Sequence, residues 1–120
     1  MKFDEYLEKG YAQESVRDIE PEEVFAKYKS NSDDHKIIDV RNLGEYNSGH
    51  IDKANLISLN VINKNLEKVD DKKDVFLHCK SGTRSVVAYS FLDYSGYKNI
   101  KNINKGYQGL VQHKFDIIEK

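Results

Sequence analysis

The chain has no tryptophan, one cysteine, one proline and one methionine among its 120 residues, and none of its apolar runs approaches the ~20 residues of a membrane span. A single cysteine excludes an intramolecular disulfide. The opening residues Met1-Lys2-Phe3-Asp4-Glu5-Tyr6 form no apolar signal core, so a cytoplasmic protein is expected. Charge of either sign is also not in excess: 19 basic residues face 20 acidic ones, a net charge of −1. That balance gives no electrostatic reason to expect nucleic acid or an anionic membrane as a partner, and any anion site must be local. Repeats, low-complexity blocks and linkers rich in Pro, Gly or Ser are missing too. The length suits one domain with one core, held without disulfide or metal.

What is present centres on Cys79. It opens the run Cys79-Lys80-Ser81-Gly82-Thr83-Arg84-Ser85, between the apolar segment Val75-Phe76-Leu77-His78 and a helical pattern from Val86 to Tyr94. A lone cysteine is commonly a small buried hydrophobe. Here, however, the six residues after it include no large apolar side chain, and Lys80 and Arg84 flank Gly82. A loop of this kind supplies successive backbone N–H groups, two cations and the positive end of the following helix. Those surroundings favour a thiolate, so Cys79 reads as a nucleophile.

The order of elements places that nucleophile. Val16 to Ile19 reads as a first strand, and Pro21 with Glu22 and Glu23 as a helix start whose apolar face is Val24, Phe25 and Tyr28. Ile37 to Val40 reads as a buried strand, Leu43 to Tyr46 as a short helical stretch and Leu56-Ile57 as another strand. Helical turns are expected within Val61 to Val69, and a buried strand from Val75 to His78. After the loop, Val87, Ala88, Phe91 and Leu92 recur at helical spacing. Ile100 to Ile103 reads as the last strand, and Tyr107 to His113, after a turn at Gly106, as the closing helix. Strands alternating with helices imply a mainly parallel sheet covered on both faces. Ligands of such sheets bind beyond the carboxyl ends of the strands, where Cys79 falls.

Several of these segments together resemble the rhodanese domain. Ile38-Asp39-Val40-Arg41, Glu45-Tyr46, Gly49-His50-Ile51 and Ala54-Asn55 are similar to its first signature. His78-Cys79 through Arg84-Ser85, with Ala88, Leu92, Gly96-Tyr97 and Gly106, are similar to its cysteine loop, the following helix and the closing turn. The resemblance implies a three-layer α/β/α domain over residues 15–120 with about five strands in a mainly parallel central sheet, and leaves 1–14 as an extension, a short helix or disordered. It implies a sulfurtransferase. Cys79 would take sulfane sulfur from thiosulfate or a persulfide or polysulfide donor and pass it to cyanide or a thiol, with no metal or organic cofactor. Partners are then a small anionic donor and a thiophilic acceptor. The alternative is a slow or non-catalytic sulfur-carrier module serving a protein relay partner, for which an apolar patch near Tyr107 and Leu110 would be the sign. Phosphatase or arsenate reductase chemistry is set against by spacing. Cysteine phosphatases place five residues between cysteine and arginine, and here four intervene.

Roles follow from the resemblance. Lys80, Ser81, Gly82, Thr83 and Arg84 would form the binding loop, with Lys80 and Arg84 favouring small anions. Asp39, Arg41, Glu45 and His50 would hold the loops by ion pairs and hydrogen bonds. His78 is not assigned as a base, because neighbouring strand residues point to opposite faces. Lys53 and Lys105 stand where the family usually has glycine, Ser58 where proline is common, and Leu110 where a tryptophan is often found.

Overall fold

The alternation of apolar runs and helical patterns produces a layered α/β structure, which a computed structural model describes over residues 16–119. The expected extension at 1–14 lies outside the described residues. In chain order the elements are β1 (Asp18–Ile19), α1 (Pro21–Ser30), β2 (His35–Asp39), α2 (Leu43–Ser48), β3 (His50–Ile51) and β4 (Asn55–Leu56). Two 3-10 segments (Leu59–Lys64 and Leu66–Lys68) lead to β5 (Asp74–His78), α3 (Thr83–Tyr94), β6 (Ile100–Ile103), α4 (Gly106–Leu110) and β7 (Ile117–Ile118).

One sheet runs in the order β1-β6-β5-β2-β4, with every pairing parallel. Side chains alternate across it. Val75, Leu77 and Cys79 join Ile38, Val40 and Ile100 on the face covered by Ala88, Tyr89 and Leu92 of α3 and by Ile62 of the 3-10 segment. Ile37 and Phe76 point the other way, against Val24 of α1, Leu110 of α4 and Phe115. Two apolar layers on one sheet give the expected three-layer architecture, and burial of this kind contributes about 1.5–3 kcal/mol for each large aliphatic side chain.

Helix α1 starts as its sequence implies, with Pro21 in the first turn, Glu22 and Glu23 beside the positive end and Lys27 and Lys29 in the last turn. Helix α2 is only six residues long and is fixed by a capping box, in which Asn42 and Glu45 each accept the other's backbone N–H.

Three differences from the sequence reading go beyond shifts of two residues. Helix α3 begins at Thr83 rather than Val86, so Arg84 and Ser85 lie in its first turn. The closing helix ends at Leu110, short of His113, because two of its five residues are glycine. The tail, for which no element is expected from the sequence, supplies β7, and β7 pairs antiparallel with β3. Neither strand exceeds two residues, too short to show a period in the sequence.

Candidate functional site

Strand β5 ends at His78, and the alternation of its side chains sends Cys79 toward α3 and His78 to the opposite face. There His78 lies in register with Asp39 of the neighbouring strand. Cys79 is 1% exposed. The chain then turns through Gly82, whose φ of +115° is the left-handed region that glycine enters without strain and which caps α3 at its N-terminus. This turn brings the Gly82 N–H to 3.1 Å from the Cys79 Sγ. The Cys79 thiol donates to the Ser85 hydroxyl at 3.5 Å and that hydroxyl donates to the Gly82 carbonyl; when the sulfur is a thiolate the hydroxyl turns its hydrogen to it. Burial pushes the Cys79 thiol up, but hydrogen bonds from the Ser85 hydroxyl and from the backbone N–H groups of Ser85, Gly82 and Ser81 outweigh it. The net direction is below the ordinary thiol value.

The loop residues take different positions. Ser81 and Gly82 act through their backbone. Thr83 joins them on a groove with Val86 and Asn102 on one side of the loop, while Lys80 lines a second groove with Arg41, Glu45 and Tyr107 on the other. Arg84 is not an unpaired cation. Its guanidinium donates to both carboxylate oxygens of Glu45, at 2.6 and 2.8 Å, and that pair holds the Glu45 carboxyl at about 2, well below its ordinary 4.5. The sequence names both residues without linking them, since 39 positions separate them.

Asp39 and Arg41 form a second pair, fully inside the protein. Arg41 donates to both Asp39 oxygens and, at 2.7 Å, to the Gly49 carbonyl. Its guanidinium lies 4.2 Å from the centre of the Tyr107 ring. The His50 Nδ1–H donates to the Tyr46 carbonyl, 2.8 Å away, and the ring stacks on that of Tyr46. His78 is fully buried, with Nδ1 3.1 Å from the Cys79 carbonyl and Nε2 3.8 Å from Asp39. Burial drives its pKa below the ordinary value against the opposing pull of Asp39, so His78 is neutral and points away from the sulfur.

Three contributors were not assigned from sequence as site residues. Ser85 is the hydroxyl beside the sulfur; its signal is its place three residues after the glycine that starts α3. Gly106 and Tyr107 seat α4 on the loop: the Tyr107 and Gln108 N–H groups donate to the Cys79 and Lys80 carbonyls at 2.8 and 3.2 Å. A Cβ on Gly106 would stand 2.7 Å from the Cys79 carbonyl oxygen. At the place looked to for an apolar patch, Leu110 is wholly buried in the core and Tyr107 is half-buried against Arg41, while the neighbouring Val111 is exposed.

Among the described residues no cluster has the composition of a metal site, and no helix is long and apolar enough to cross a membrane. What remains is a desolvated, activated sulfur facing a ring of N–H donors at a helix N-terminus, a cradle for negative charge on or next to that sulfur.

Comparison with known proteins gives a consistent picture. The family model described as the rhodanese-like domain matches residues 21–113. Thiosulfate sulfurtransferase 18 of Arabidopsis thaliana is 32% identical over 97 residues, covering 69% of this chain and 71% of that protein. The putative sulfur carrier protein YrkF of Bacillus subtilis is 28% identical over 106 residues, which cover 84% of this chain and 57% of YrkF. The crystal structure of a rhodanese-like domain protein from Staphylococcus aureus superimposes with a TM-score of 0.75 at 25% identity, covering 84% of this chain and 97% of that one.

Proposed function

Because this chain belongs to the rhodanese-like domain family, we propose that it is a sulfurtransferase that carries sulfur as a persulfide on Cys79. The observation that supports this most is the seat of the sulfur: buried, 3.1 Å from the Gly82 N–H, at the start of a twelve-residue helix. The Cys79 thiolate attacks the outer sulfur of a donor. With thiosulfate the S–S bond breaks, sulfite departs with the bonding pair, and Cys79 is left as a persulfide anion. An acceptor then attacks the terminal sulfur; cyanide leaves as thiocyanate, and the thiolate of Cys79 is regenerated. Sulfur itself performs the covalent step, and the protein contributes the low thiol pKa and N–H donors for the charge on the terminal atom.

The relative named as a putative sulfur carrier keeps a protein acceptor within the same reading, since loading of Cys79 precedes either fate. The four-residue interval between Cys79 and Arg84 makes a ring suited to one sulfur atom rather than a tetrahedral phosphate, and hydrolysis of an aryl phosphate should be negligible beside sulfur transfer.

The test is the intact mass of the protein before and after exposure to thiosulfate or a low-molecular-weight persulfide, for wild type and Cys79→Ser. A gain of about 32 Da on wild type alone, removed by cyanide as thiocyanate, is the expected result for a persulfide on a reactive thiol. Absence of that gain with both donors would overturn the proposal.

A further inference from the structure

We infer that the Glu45–Arg84 ion pair sets the donor class of this site: by cancelling the loop's guanidinium it disfavours dianionic thiosulfate and matches the site to sulfane sulfur carried on an organic thiol. This rests on the sulfurtransferase reading above and narrows it.

The pair is built to persist. Both Glu45 oxygens are engaged by Arg84, and the Asn42 N–H donates to Oε1 at 3.3 Å while the Glu45 N–H donates to Asn42 Oδ1 at 2.8 Å. The capping box therefore fixes the carboxylate at the end of α2. With its pKa near 2, Glu45 is charged at every pH at which Cys79 could be a thiolate. Arg41, the other guanidinium near the groove, is closed on Asp39. Among the described residues that leaves two exposed cations beside the loop, Lys80 and, in the groove on its other side, Lys105. Lys105 shares that groove with Asp18, and the charge of Lys80 is matched by the Cys79 thiolate itself. A dianion approaching the loop thus meets no net positive side-chain charge. The cradle of N–H groups still suits one negative sulfur.

Space points the same way. Arg41, Asn42, Glu45, Lys80, Tyr107 and Gln108 line a groove of about 560 Å³ beside the loop, within the range typical of sites for organic ligands and far larger than a five-atom anion requires. An organic persulfide fills such a groove with its carbon skeleton. The step balances without further reagents: the Cys79 thiolate attacks the outer sulfur of RS–SH, the S–S bond breaks, and its pair leaves on RS⁻. RS⁻ then takes the proton from the new Cys79–S–SH, giving the Cys79 persulfide anion and RSH.

The experiment is single-turnover loading of Cys79, read by intact mass, with thiosulfate and with 2-aminoethyl persulfide, an organic persulfide whose ammonium offsets the charge of its ionised sulfur. Wild type should load faster from the persulfide. Glu45→Gln keeps the side-chain length and the capping-box acceptor but removes the charge. It should raise the second-order loading rate from thiosulfate about tenfold as the guanidinium is released, and change that from the persulfide several-fold less. Equal changes for both donors, no change, or faster loading of wild type by thiosulfate would each overturn the inference. Wild type alone gives an independent arm: loading from thiosulfate should be flat from ~0.02 to ~0.5 M ionic strength, and a steep fall with salt would reveal a net positive mouth and overturn the inference. Failure to load from either donor would overturn the sulfurtransferase reading and this inference together, whereas efficient loading from thiosulfate would remove only the latter.

Discussion

At Cys79 two opposed effects meet. Burial raises the cost of a thiolate, while the Ser85 hydroxyl and the N–H groups of Ser85, Gly82 and Ser81 lower it and prevail. Ser85→Ala removes the first of those donors and keeps the helix, so the pH profile of iodoacetamide modification should move to higher pH without loss of fold; an unmoved profile would show that the backbone donors suffice. Asp39 is a different case. It is fully buried and doubly bonded to Arg41, and removal of one partner of a buried ion pair costs about 3–5 kcal/mol. Asp39→Asn should lower the urea midpoint accordingly. Lys53 and Lys105, where the resemblance implies glycine, have φ of +72° and +67°, the left-handed region in which a side chain is strained. Lys53 is partly compensated, since its Nζ donates to Asn31 Oδ1 at 2.6 Å. Lys105→Gly is therefore the cleaner substitution and should stabilise the protein by about 0.5–1 kcal/mol, measured by urea unfolding.

At the scale of elements, the site is a joint between the end of β5, the first turn of α3 and the N-terminal end of α4. Helix α4 reaches the loop only because Gly106 carries no side chain: its φ is +55°, and an added Cβ would sit 2.7 Å from the Cys79 carbonyl oxygen and 2.9 Å from that of Lys80. Gly106→Ala must move α4 or the loop. It should lower the rate of Cys79 loading about tenfold or more and destabilise the protein, because positioning errors near 1 Å carry rate costs of this order. A variant with wild-type loading would show that α4 merely covers the loop. Strands β2, β5 and β6 and the two longer helices, α1 and α3, were legible because an apolar run or period persists over four or more residues. The β3–β7 pair was not, because two-residue strands have no period and their partners lie far apart in sequence.

For the molecule as a whole, acid stability follows from groups titrating differently when folded. His78 is buried and its pKa lies below the ordinary 6.5. Between that lowered value and 6.5 the unfolded chain binds a proton that the folded chain does not, so the contribution is complete above 6.5 and declines as pH falls through this window. Glu45, moved from 4.5 to about 2, adds a second loss as pH falls below 4.5. Urea midpoints measured across pH should therefore decline on acidification below pH 6.5 in two stages, and Cys79, whose pKa is lowered on folding, adds a further rise with pH that is complete only above the ordinary thiol value. His78→Gln should flatten the first stage; an unchanged decline between pH 6.5 and 5 would assign that stage to other groups.

Cys79, its loop and the strand–helix alternation around it were determined by sequence alone, because each rests on neighbours in the chain: a residue run, a period, a glycine between two cations. Tertiary structure decided which charges are free. Glu45 meets Arg84 and Asp39 meets His78 across the sheet's carboxyl end, each separated by 39 residues, and Tyr107 reaches Arg41 from the closing helix. Distance along the chain carries no information about such pairings, since strand order and register bring those residues together. The sequence thus located the cysteine at the end of its strand, and the fold determined which charges surround it.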